Sequence, residues 1–252
     1  MNRWIPASLL CIACNASTLP PNTEVLNNGV LLTTMTYEVD WSWQHATETP
    51  HGWTVTTNTG DELHISSAYL VNYSIQLIPC DTSTARRSQP LWSPRVFFPL
   101  VSVAHAGHSG SDDESITPRS VVEDFSKPVP RAIATVSFEP NLYCQIHYLI
   151  GRADESTEDL PNDVEMTGKS VYVQGTRTQD DNEEVPFEIT SSLAHGIVID
   201  LPDTLDSSSN HLQLVRDMDA LFDEFPWDGT DADMSWQLLH NIIEGTTIRA
   251  AQ

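Results

Sequence analysis

Tryptophan and histidine crowd into one short stretch of this chain. Trp41-Ser42-Trp43-Gln44-His45 is followed by His51-Gly52-Trp53, and His105-Ala106-Gly107-His108 comes later. Imidazole is a borderline-soft ligand that suits copper, zinc, iron and nickel, so metal binding is the chemistry these residues point to. Alternate residues of an extended chain point the same way. Read as a strand, the first stretch puts Tyr37, Val39, Trp41, Trp43 and His45 on one face, with an imidazole beside two indoles. The competing reading of that face is an aromatic core surface carrying one hydrogen-bonded histidine. His51, on an expected turn after Pro50, adds a further imidazole.

The remaining histidines are less pointed. His105 and His108 can chelate if the backbone curls, or can be two solvated loop residues. With no second pair at fixed spacing and no His-Glu-x-x-His run, they are not a zinc-finger or metalloprotease signature. His147 alternates with Cys144, Ile146 and Tyr148, so it sits on the opposite strand face, either as a ligand or as sheet surface. His64 is similar, whereas His195, His211 and His240 read as structural or exposed. Catalytic constellations are missing from the sequence. There is no Gly-x-Ser-x-Gly elbow and no glycine-rich phosphate loop. Asp231 and Asp233 lack full calcium-loop spacing and read as turn and capping residues.

The elements that must position these residues are mostly strands. Strand patterns cover 31–45, 53–57, 62–80, 135–138, 143–150, 170–177, 185–191 and 196–201, rich in valine, isoleucine, threonine and tyrosine and bounded by turn formers such as Asn58-Thr59-Gly60. Their short spacing predicts a mainly β fold, an antiparallel sandwich of jelly-roll type, with residues 31–252 as one domain. Between Pro90 and Pro130 the prolines forbid a long regular element, and Gly107 to Glu114 reads as an exposed acidic loop. Near the C-terminus, Leu212, Val215, Met218, Leu221 and Phe222 recur at helical spacing, which predicts a helix over 211–222. A second helix is expected over 236–244, capped by Asp233 or Ser235, burying Trp236, Leu239 and Ile243 and ended by Gly245.

The chain has 252 residues and a formal net charge of -23, and Lys127 and Lys169 are its only lysines. Such a surface repels nucleic acid and anionic lipid headgroups. Arg3 followed by the apolar run 4–13 reads as an export signal, too short to span a bilayer as a helix. Ala13 before Cys14 resembles a bacterial lipoprotein cleavage box, which makes Cys14 a lipidated first residue and residues 14–30 a tether. Simple secretion and a Cys11–Cys14 redox or metal pair are the alternatives, and the apolar setting argues against the pair. Membrane contact is then expected only through the lipid anchor. Cys80 and Cys144 remain, and in an oxidising periplasm or cell surface they are expected to form a disulfide.

Taken together, the Trp-x-Trp-x-His strand, the His51 to Trp53 segment, the stretch 104–109, the stretch 143–148 and the ending with Leu221-Phe222-Asp223 and Trp236 to Asn241 resemble exported MbnP-like proteins. More loosely they resemble the copper-repressible surface copper-binding proteins of methane-oxidising bacteria. Only Cys80 and Cys144 of that family's four-cysteine pattern are left after processing. The resemblance implies a copper-binding protein that is not an enzyme, at the periplasm or outer membrane, with a di-haem enzyme of the MauG type as partner. It implies oxidation of a tryptophan to kynurenine, whose aromatic amine joins two imidazoles at copper. Trp43 and His45 are the residues it points to, with His105 or His108 as the second imidazole and Trp41 or Trp53 as substitute tryptophans. Two other classes stay open. One is a metal-free acidic module whose aromatic residues bind a protein or glycan, and the other is a metal-dependent envelope enzyme using His105 and His108.

Overall fold

The computed structural model describes residues 23–25, 31–80, 115–127, 129–138, 142–178, 183–202 and 210–250. In chain order the strands are β1 (Thr23–Val25), β2 (Leu31–Ser42), β3 (Thr47–Thr49), β4 (Gly52–Thr56), β5 (Glu62–Pro79), β6 (Val121–Asp124) and β7 (Arg131–Phe138). They continue with β8 (Tyr143–Ile150), β9 (Val171–Thr178), β10 (Glu184–Ser191), β11 (His195–Asp200) and β12 (His211–Asp217). Helix α1 (Asp231–Glu244) and β13 (Thr247–Ala250) follow. Among the described residues these strands make a five-stranded sheet of β1, β2, β7, β12 and β13 and an eight-stranded sheet of the rest.

One hydrophobic core lies between the two sheets. Met35, Tyr37, Val39 and Trp41 of β2 with Leu212 and Leu214 of β12 face Leu63, Ile65, Ile75 and Leu77 of β5 and Ile146 and Tyr148 of β8. The alternation in β2 leaves Thr34 and Thr36 outside, where they pair with Ser137 and Thr135 of β7. The middle of β5 is apolar on both faces because its outer face is also covered. Tyr69 and Val71 pack there with Val122, Ala153, Met166 and Tyr172 in a satellite cluster. No helix among the described residues is long and apolar enough to cross a membrane.

Several expectations are corrected. Residues 211–222 do not form a helix: β12 occupies 211–217, and turns follow. The segment satisfies a helical period because Val215 is buried as well as Leu212 and Leu214. Ladders to β2 on one side and β13 on the other decide in favour of a strand. The β2–β12 pairing is parallel, so the sandwich is not purely antiparallel. Part of the expected tether is strand β1, paired with the start of β2. Helix α1 begins earlier than expected, at Asp231. Thr230 is the N-cap, and Asp233 completes a capping box with it rather than capping alone. Trp236 is not buried but 49% exposed, because Leu238, Leu239, Ile242 and Ile243 form the face turned to the core. Gly245 ends the helix as expected, its N–H donating to the Asn241 carbonyl.

Candidate functional site

The inward face of β2 carries Tyr37, Val39 and Trp41 into the core, and Trp43 packs half-buried at its end. Here the regular strand stops, at Ser42 rather than His45. The cause is a single carboxylate. Asp219 accepts the backbone N–H groups of Gln44 at 2.8 Å, His45 at 3.0 Å and Ala46 at 2.6 Å, which turns the chain out of the sheet. Asp219 is itself held by its own N–H, which donates to Asp217 Oδ1 at 3.0 Å. The His45 side chain is 77% exposed, and its Nδ1 lies 3.6 Å from Asp219 Oδ2. His45 is therefore beyond the core face and looks into solvent, while its neighbour Trp43 keeps contact with the core.

The three tryptophans differ sharply. Trp41 is buried, with Nε1 donating to Glu123 Oε1 at 2.7 Å and its ring stacked on Phe125 at 4.9 Å. Trp53 is fully buried, and its Nε1 donates to the Phe125 carbonyl at 3.1 Å. Trp43 meets Trp53 edge-on, with ring centroids 6.0 Å apart. Beyond Trp53 the aromatic packing continues through Phe222 to Phe187, Phe225 and Trp227, and Arg177 lies over the Trp227 ring while bonding Asp61. Burial of Trp41 and Trp53 removes them as sugar-stacking platforms, which need an open ring face.

The other histidines do not gather around His45. His51 stands exposed on the β3–β4 turn, next to Gly52 at φ +129°, where an added Cβ would overlap the Ile65 carbonyl of β5. His147 is on the outward face of β8, half-buried, as its alternation predicts. Its partner on β5 is Gln76, whereas Trp53 pairs with Ile65. Eleven residues of strand separate those positions, roughly 35 Å of chain, so His147 is apart from the Trp43–His45 end. His64 pairs with Thr54 and Thr176 on the outer face of the second sheet. His240 stacks on Trp236 with centroids 4.8 Å apart. His105, His108 and Cys14 lie outside the described residues. Among the described residues, no three His, Cys, Asp or Glu side chains converge to hold a metal ion. Cys80 and Cys144 form the expected disulfide, with Cα atoms 4.9 Å apart; Cys144 is exposed, and the bridge ties the end of β5 to the start of β8 within one sheet instead of facing the core.

Sequence reasoning missed Asp219 and a polar network between the sheets. Arg216 is 0% exposed and lies opposite Trp41 in the parallel β12–β2 register. Its Nη1 donates to Glu123 Oε2 at 2.6 Å, and its Nη2 reaches Asn72 Oδ1 at 2.6 Å and Tyr148 Oη at 2.7 Å. Asn72 Nδ2 donates to Glu123 at 3.0 Å, and Tyr148 Oη donates to Asn72 Oδ1 at 2.8 Å. The guanidinium also lies 5.0 Å over the Trp41 ring. Burial works against the Arg216 charge, yet Glu123 and Tyr148 outweigh it and its pKa is raised. Burial pushes the Tyr148 hydroxyl up to about 12 despite the opposing Arg216 charge. The signal in the sequence is a charge inside an apolar strand run, as in Val121-Val122-Glu123 and Leu214-Val215-Arg216. Compared with protein-family models, curated proteins and solved structures, the chain matches none of them.

Proposed function

We propose that this chain is an exported copper-binding protein of the cell envelope, a binder and not an enzyme, in which His45 is a copper ligand. One observation carries the reading. Of the three clustered tryptophans only Trp43 lies half-buried at the surface end of its strand, two residues before an imidazole that faces solvent. That arrangement fits one imidazole and one indole-derived donor of the copper set implied by the resemblance to MbnP-like proteins. Trp41 and Trp53 do not fit, since both are buried with their indole N–H groups already bonded within the protein. Imidazole ligation at low coordination number suits copper, whereas calcium and magnesium require oxygen ligands.

In this reading His105 or His108 supplies the second imidazole, and a di-haem enzyme of the MauG type, drawing on dioxygen or peroxide as co-oxidant, converts Trp43 to kynurenine. The conversion opens the indole C2–C3 bond with one oxygen atom added at each carbon, giving an N-formyl amine, and hydrolysis by water then releases C2 as formate and leaves an aromatic amine. The lipid anchor at Cys14 would hold the protein at the periplasmic or outer surface. The test is copper content of protein taken from its native envelope, with Cu(I) titration of the wild type and His45→Ala. Near-stoichiometric copper that is lost in His45→Ala, with the kynurenine mass on the peptide carrying Trp43, is the expected result. Equal copper affinity in His45→Ala would rule His45 out as a ligand.

A further inference from the structure

The His45 ring has its Nδ1 on the side of one half-buried carboxylate, and that carboxylate has little freedom of its own. Asp219 is 16% exposed, its oxygens take three successive backbone N–H groups, and its own N–H is tied to Asp217 Oδ1. A fixed carboxylate beside one ring nitrogen decides which nitrogen carries the proton, because a carboxylate only accepts hydrogen bonds. Here Nδ1 is the near nitrogen, 3.6 Å from Oδ2. That separation is longer than a hydrogen bond, and the exposed ring must turn to bring Nδ1 within the length of a charge-assisted one, about 2.8 Å.

We propose that Asp219 is a positioning residue for metal binding: it holds His45 as the Nδ1–H tautomer and presents the Nε2 lone pair outward to a soft metal ion. The inference rests on the copper reading for its purpose but not for its geometry. Metal-binding histidines commonly donate their other ring N–H to a carboxylate, and loss of that partner typically lowers metal affinity by about 10–100-fold. Free neutral imidazole favours the Nε2–H form, so the Asp219 carboxylate works against an intrinsic preference. Asp219→Asn is nearly isosteric but puts an N–H donor in the carboxylate's place. An amide donor facing Nδ1 favours proton on Nε2, which blocks the outward nitrogen.

The experiment is long-range ¹H–¹⁵N NMR of the histidine rings of the full chain in the neutral-imidazole range, together with Cu(I) titration in competition with bathocuproine disulfonate. The wild type is expected to show His45 mainly as Nδ1–H. Asp219→Asn is expected to shift it to Nε2–H and to weaken copper about 10–100-fold. A wild-type His45 found mainly as Nε2–H overturns the proposal whatever copper does, and needs no variant to fold. A tautomer that follows Asp219 while neither protein takes up copper retires the copper reading and leaves the positioning role standing. Amide shifts of Gln44, His45 and Ala46 separate a tautomer change from loss of the turn, which a purely structural Asp219 would cause with no change of tautomer in the wild type.

Discussion

Glu123→Gln isolates what the buried network contributes. The change removes one charge with almost no change of shape. In the native protein Oε1 accepts from Trp41 and Oε2 accepts from Arg216 and Asn72. A glutamine offers one acceptor oxygen and one donor NH2. With its oxygen towards Trp41, the NH2 meets the Arg216 and Asn72 donors; with its oxygen towards those, the NH2 meets the indole N–H. Either rotamer leaves donors facing donors and strands a guanidinium that is 0% exposed. Breaking a buried pair from one side costs about 3–5 kcal/mol. In a domain of this size each kcal/mol moves Tm by about 2–4 °C, so a fall of roughly 6–20 °C is expected. Removing both charges should hurt less. In Glu123→Leu/Arg216→Met, the Tyr148–Asn72 hydrogen bond survives; the Trp41 N–H and the Asn72 Nδ2 lose their acceptor, at about 1–3 kcal/mol each, but no charge is left stranded. Urea unfolding of the wild type, the single variant and the double variant gives the comparison. A Glu123→Gln loss below about 1 kcal/mol, or a double variant less stable than the single one, would refute the argument that an uncompensated charge is what the network prevents.

Three further outcomes follow from the same geometry. The Tyr148 hydroxyl, raised by burial to about 12 from an ordinary 10, contributes stability that is fully present below pH 10 and lost as pH rises towards 12. That loss is about 3 kcal/mol, and Tyr148→Phe should flatten the alkaline limb of a Tm against pH curve. Replacing Cys80 and Cys144 together by serine opens a loop with a sequence separation of 64 and should cost about 4 kcal/mol in the chain-entropy model, read by denaturant unfolding and matched by reduced wild type. Thr230→Ala removes the α1 cap and should cost about 1 kcal/mol, visible as a small drop in Tm and faster amide exchange in the first turn of α1.

Most of the strands are legible in the residue types alone. Runs such as 143–150 and 185–191 alternate cleanly because one face is buried and the other is wet, so period two is written in their residue types. The expected pairing of Cys80 with Cys144 and the expected end of the helix at Gly245 are both met in the structure. Tertiary structure alone decided the rest. Whether 212–217 is strand or helix could not be read from spacing, because neighbours cover both faces and its apolar residues satisfy both periods. On α1, Leu239 and Ile243 turned inward as their spacing predicts, but Trp236 went outward although its size suggests burial. The difference between Trp41 and Trp43 arises from Glu123, Phe125 and Arg216, all far from Trp41 in the chain. His45 leaves the strand face because Asp219, 174 residues away in sequence, captures its backbone N–H. Periodicity records how much of an element is covered, not by what. The partners of a buried charge or a turned strand end are set by long-range pairing, which local spacing does not encode.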